Sequence, residues 1–179
     1  MADTQTCLSM HQPWASLVVH GIKRIEGRDW HSTHRGTLWI HSTSKAADPS
    51  EIAEVENFYR NIYAMEGKEI KFPQYYPAGV VLGHVTIVDV VSRDDLTTWP
   101  QLPNSVKLEA LSQQCFLCEN PKRLVLPQPV KGQMKLWKLP TEVWKVALMG
   151  LRDPLNQGWA WAEFLPQRIE ARGGRGGRG

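Results

Sequence analysis

Lys23, Glu26 and Arg28 place two cations and one anion within six residues, in the run Gly21-Ile22-Lys23-Arg24-Ile25-Glu26-Gly27-Arg28-Asp29-Trp30. That mixture, set among glycines and beside a tryptophan, suits a polar ligand cleft better than a core segment. Arginine holds phosphate or a carbonyl with a planar two-point fork, and lysine acts as a point charge. Glu26 can accept from the amino edge of a base, or it can hold Lys23 or Arg28 in place. The competing reading is an ion-paired strand with no ligand.

Three further groups belong to this chemistry. His11, Gln12 and Trp14 precede the run, at a helix entrance where free backbone N–H groups favour anions; Gln12 can hydrogen-bond a base and Trp14 can stack on one. The other account of Trp14 is packing on the barrel. His41, Ser42 and Lys45 close a predicted strand and are expected at a cleft rim, although a lone histidine there is commonly structural or solvent-exposed. Arg172, Arg175 and Arg178 sit in an Arg-Gly tail without apolar content, which cannot build a core and is expected to be disordered. Flexible arginines of this kind bind phosphate and stack on bases; the plain alternative is a passive solubilising tail.

Elements must position these groups. Residues 13–20 read as a short helix, with Pro13 at its start and Gly21 just past its end. Ile22 to Arg28 reads as a strand, which carries a condition. In a regular strand Glu26 and Arg28 share a face and Lys23 points away. Lys23 joins them only if the strand starts late, near Arg24 or Ile25. Residues 37–41 form a β-branched and aromatic strand. Asp48-Pro49-Ser50-Glu51 opens a second helix, with Ile52, Val55, Tyr59 and Ile62 at helical spacing and an end near Gly67.

Residues 80–91 are the longest apolar β-rich run and the expected central strand, bent or bulged at Gly83. Residues 92–113 read as loop with a weak helical piece. Three short strands are expected at 115–118, 123–126 and 134–139, and a helix at 141–151 capped by Thr141. Strands spread along the chain with inserted helices predict an α+β fold, a small mixed-sheet barrel decorated by two to three helices.

The bulk numbers narrow the function class. At 179 residues, 42% hydrophobic and 22% charged, one ordinary soluble domain is expected. No apolar run approaches a membrane span, and the first residues lack the basic and apolar regions of a signal peptide. The net charge of +3 is local: three of the 21 basic side chains are the tail arginines, and the rest balance the 18 acidic ones. Attraction for phosphate must therefore come from a cluster or from the tail. Three cysteines, two of them in Cys115-Phe116-Leu117-Cys118, fit reduced buried thiols better than a disulfide framework or a four-ligand zinc site. GxxxxGK[ST] does not occur, and GxGxxG occurs only as Gly174–Gly179 within the Arg-Gly tail, with no strand or helix pattern around it, so nucleotide-binding folds have no support. The eight tryptophans are expected to be core or half-buried, with one or two near the basic residues free to stack.

The segment from Leu8 to Leu17, Leu-Ser-Met-His-Gln-Pro-Trp-Ala-Ser-Leu, followed by Gly21-x-Lys23-x-x-Glu26-x-Arg28, resembles the ASCH domain. The similarity is to the branch carried by a transcription coactivator. His34-Arg35-Gly36-x-Leu38-Trp39-Ile40, Phe72-Pro73-x-Tyr75-Tyr76-Pro77-x-Gly79, Cys118-x-Asn120-Pro121 and Lys131-Gly132 with Trp137-Lys138-Leu139 extend it over about residues 6–150. The resemblance implies a PUA-like β-barrel that binds RNA or a modified nucleoside in a cleft beside the first helix, and it adds Lys131 to the candidate contacts. The expected organisation is an ASCH domain over 6–151, an extension over 152–171 and the tail over 172–179.

Three functions follow as expectations. The first is a non-catalytic module for RNA or single-stranded DNA in RNA metabolism or transcription coregulation. The second is an amidohydrolase on a modified nucleoside. Small relatives of this barrel are expected to use a threonine three residues after the motif lysine, and here that place holds Glu26. The third is a protein-interaction domain of a coregulator complex. Recognition is favoured over reaction. No cofactor or metal is expected. The expected partners are nucleic acid and coregulator proteins, with no membrane, a monomeric chain and a nuclear or cytoplasmic setting.

Overall fold

A computed structural model describes residues 4–164. In chain order the elements are β1 (Thr6–Met10), α1 (Trp14–Val19), β2 (Ile25–Arg28), β3 (Gly36–Ser42), α2 (Pro49–Met65) and β4 (Val80–Ser92). Then come α3 (Arg93–Thr97), α4 (Asn104–Lys107), β5 (Gln114–Pro129), β6 (Leu136–Lys138), α5 (Thr141–Met149) and β7 (Leu151–Arg152), with a 3-10 turn at Trp161–Glu163. The strands form one mixed sheet in the order β2-β5-β4-β3-β1-β6, with β7 against β5. β1 and β3 run parallel and the remaining pairs antiparallel. The result is an α+β fold in which one mixed sheet curls into a half-barrel.

Period-two alternation sorts the strands between two faces. Leu8, Met10, Leu38, Ile40, Val85, Ile87, Phe116 and Cys118 pack into the concave face, and α1 fills the concavity with Ala15, Val18 and Val19. Cys7, Trp39, Val81, Leu124 and Trp137 lie on the convex face, where α5 covers them with Ala147. Ile25, Val91, Cys115 and Leu117 lie under Leu96 of α3, Val106 of α4 and Trp161. α2 closes over α1 through Leu17, Ile22, Tyr59, Ile62 and Tyr63.

Several expectations needed correction. β1 lies outside the strands expected from the sequence, although Cys7 and Ser9 alternate with Leu8 and Met10. The strands expected at 115–118 and 123–126 are one strand, β5. Asn120-Pro121 reads as a breaker, but it sits where the β4–β5 register shifts between His84 and Thr86. Asn120 adopts a φ of 48° there, so the bulge absorbs the missing proline N–H. The strand expected over 134–139 is shorter, at Leu136–Lys138. Thr141 is the first residue of α5, not its cap, which is Pro140. The loop expected over 92–113 contains the two short helices α3 and α4.

Other features appear as read. Asp48 caps α2, its carboxylate accepting from Ser50 N at 2.8 Å. Gly83, at φ 150°, lies where β4 shifts register. Cys115 and Cys118 are buried on opposite faces of β5. Burial pushes their thiols up to about 11 and about 12.

Candidate nucleic-acid interface

The motif is assembled by the end of α1. Gly21 takes a φ of 75°, a conformation glycine adopts without penalty. Leu17 O then accepts from both Ile22 N and Lys23 N at 3.0 Å. This turn delays β2 until Ile25, so Lys23 lies before the strand and escapes its alternation. Lys23 Nζ sits 3.3 Å from Glu26 Oε2, and Arg28 Nη1 sits 3.1 Å from Glu26 Oε1. Glu26 pairs across the ladder with Phe116 and so points into the concave face with it. Arg28 Nη2 donates to Ser9 O of β1 at 3.1 Å, across the concavity. Lys23 and Glu26 are almost wholly buried, while Arg28 keeps 25% of its side chain exposed. Trp14 and Trp30 stand half-buried at the margin of the same apolar cluster.

A carboxylate with one oxygen on each of two cations is a holding group rather than a base poised for water. Gly27 is required for a separate reason: a Cβ there would come 2.6 Å from Ser112 Cβ.

The other sequence-derived residues divide sharply. The helix entrance is not a free anion site. Ala15 N donates to His11 O at 3.0 Å, Ser16 N to Gln12 Oε1 at 3.0 Å and Leu17 N to Pro13 O at 3.2 Å. Gln12 is buried, and its Nε2 donates to Ser16 Oγ and Pro77 O. His41 is not at a rim but buried on the convex face: Nδ1 meets Ser9 Oγ at 2.9 Å and Nε2 meets Val130 O at 2.8 Å. Burial lowers its pKa. Ser42 is fully buried and donates to Pro77 O at 2.7 Å. His11 is exposed and bonds Thr43 Oγ1 at 2.8 Å. Lys45 and Lys131 are exposed. Arg172, Arg175 and Arg178 lie outside the described residues.

The structure adds a groove that motif reading missed. A cavity of about 340 Å³ lies beside α1, between its last turn, the loop at 71–77 and β5. Phe72, Tyr75 and Pro127 give it flat apolar walls, and Lys71, Arg123 and His20 give it cations or donors; among the described residues its lining holds no acidic side chain. Tyr75 is 63% exposed. Arg123 Nε donates to Asp153 O at 2.9 Å. Burial, with the nearby Arg123 charge, takes His20 down to about 4, so its ring is neutral at neutral pH. Asn156 fixes the groove's wall: Oδ1 accepts from Lys71 N, and Nδ2 donates to His20 O and Lys71 O, at 2.7–2.9 Å. The sequence signal for the groove was the aromatic–proline run at 72–77, which the resemblance noted but chemistry did not single out.

The profile of the ASCH domain family matches residues 8–128. The chain is 44% identical over 149 residues to activating signal cointegrator 1 of Mus musculus and 43% identical to that of Homo sapiens. Each alignment covers 83% of this chain and 25% of the relative. The chain thus spans about a quarter of the length of the curated relatives it matches. The crystal structure of ASCH from Zymomonas mobilis superposes with a TM-score of 0.49 at 13% identity, covering 84% of this chain and 98% of that one.

Proposed function

The chain belongs to the ASCH domain family, and we propose that it is a binding module for single-stranded nucleic acid, RNA or DNA, serving RNA metabolism or transcription coregulation in the nucleus or cytoplasm. The observation that carries this reading is the groove beside α1, where the exposed Tyr75, the half-buried Phe72 and the Lys71 and Arg123 cations meet without an acidic neighbour in the lining. Bases stack on such aromatics whatever their sequence, and cations take the phosphates. Arg28, Trp14, His11, Lys45 and Lys131 are the sequence-derived residues that keep exposed surface, and they are proposed as flanking contacts. Gln12, His41 and Ser42 are spent on internal bonds and are assigned to support. Similarity to proteins named activating signal cointegrator 1 supports the coregulator setting.

The test is fluorescence anisotropy of a labelled oligonucleotide titrated at several salt concentrations. Each lost phosphate contact reduces the salt slope by about 0.7–0.9, so Arg123→Ala is expected to flatten it by roughly that amount. Tyr75→Ala is expected to weaken binding with the slope unchanged, since stacking is not screened. Binding that ignores salt, or is indifferent to both substitutions, overturns the groove assignment.

A further inference from the structure

Arg24 stands between the motif residues but takes no part in their cluster. Its side chain is 3% exposed and its guanidinium is held on two edges: Nε donates to Glu109 Oε2 at 2.7 Å and Nη1 reaches Glu66 at 3.0 Å. The rings of Tyr63 and Trp159 flank it at 4.5 and 5.1 Å. Among the described residues, Nη2 is buried with no hydrogen-bond partner, and so is Nε1 of Trp159. Buried donors are almost always satisfied, so two orphans on adjacent side chains call for an acceptor.

Both residues line a cavity of about 480 Å³ between the end of α2 and the segment at 156–163. They also back a void of about 10 Å³ toward Lys23 and Cys118, which takes at most one water. Only the larger space has the size of a ligand site.

We propose that this cavity binds a neutral lactam nucleobase, with guanine the best match. The charges exclude a phosphate as the primary ligand. Arg24 already answers Glu66 and Glu109, and the rim adds Glu69 and Glu163 against Lys68. An oxo base is neutral and supplies both halves of the complement. Guanine O6 and N7 accept from an arginine, here Nη2 of Arg24, leaving Trp159 Nε1 a second donor. Its N1–H and amino group present donors to a carboxylate such as Glu69 or Glu163. Adenine keeps N7 as an acceptor but turns an amino donor toward the two orphans in place of O6, so it satisfies one donor where guanine satisfies both. The inference rests on the nucleic-acid reading for the source of the base but not for the chemistry, so the probe is free guanosine.

Calorimetric titration of the whole chain with guanosine and with adenosine tests it. Guanosine is expected to bind at least tenfold more tightly than adenosine. Arg24 variants are compromised by the buried carboxylates they abandon, so Trp159→Phe, which keeps a ring and deletes the N–H, is the informative variant. It is expected to weaken guanosine about tenfold. Paired Glu69→Gln and Glu163→Gln changes are expected to weaken it as well. Absence of guanosine binding at millimolar concentration, equal affinity for the two nucleosides, or indifference to Trp159→Phe overturns the proposal. Oligonucleotide binding that survives when guanosine binding is absent removes this cavity and leaves the groove. Guanosine binding without any oligonucleotide binding does the reverse.

Discussion

Glu26 joins Lys23 and Arg28 in a space where water is nearly excluded. Removing one partner of a buried pair strands the other charge, at a cost of about 3–5 kcal/mol. Glu26→Gln is therefore expected to destabilise the chain by about 3 kcal/mol in urea unfolding, and Lys23→Met added to it is expected to restore part of the loss. If Glu26→Gln is neutral in stability, the three side chains do not form a working cluster in solution. Glu109 follows the same rule more severely. Its carboxylate is fully buried and accepts from both the backbone N and Nε of Arg24. Glu109→Ala is expected to cost about 3–5 kcal/mol, read as a drop in the urea midpoint with the m-value unchanged. The motif chemistry was legible in the residues themselves. The role of Arg24 was not, because its partners Glu66 and Glu109 lie 42 and 85 positions away.

At the level of elements, the half-barrel depends on a few backbone devices. A Cβ on Gly83 would run into Lys122 O and come 2.9 Å from Arg123 Cα. Gly83→Ala is expected to cost roughly 3 kcal/mol and to disturb the β4–β5 bulge beside the groove. Loss of oligonucleotide affinity together with a lowered melting temperature is the expected pair of readings. Asn156 joins three segments through one carboxamide. Asn156→Ala is expected to raise hydrogen exchange at the amide of Lys71, which loses its acceptor. Unchanged protection there means that packing alone holds the loop. Period and capping signals reveal α1, α2, β3 and β4 to within a residue or two. They fail at β5, where the asparagine–proline pair that normally ends a strand is accommodated by a bulge that only the partner strand β4 supplies.

For the molecule as a whole, three partly or fully buried histidines set the response to acid. Burial lowers the pKa of His20, His41 and His84, with Arg123 and Lys122 reinforcing it at His20 and His84. Each stays neutral in the fold at a pH where the unfolded chain, with an ordinary value near 6.5, has taken up a proton. Between about pH 6.5 and about pH 4 the unfolded state binds more protons, so stability rises with pH across that window and is lost as pH falls through it. The melting temperature is expected to be flat above pH 7 and to fall steadily on acidification. His20→Asn is expected to flatten that fall, and an unaltered slope refutes the assignment to His20. No helix among the described residues is long and apolar enough to cross a membrane. The sequence by itself determined the α+β pattern and the condition that Lys23 must precede β2 to meet Glu26 and Arg28, because turns and strand alternation act over a few residues. Only the tertiary structure decided that β2 starts at Ile25, that Gln12, His41 and Ser42 are internal struts, that Arg24 is a buried hub and that the groove beside α1 is walled by residues 71–77 and β5. Burial and hydrogen-bond partnership are set by segments far apart in the chain, and no local pattern records them.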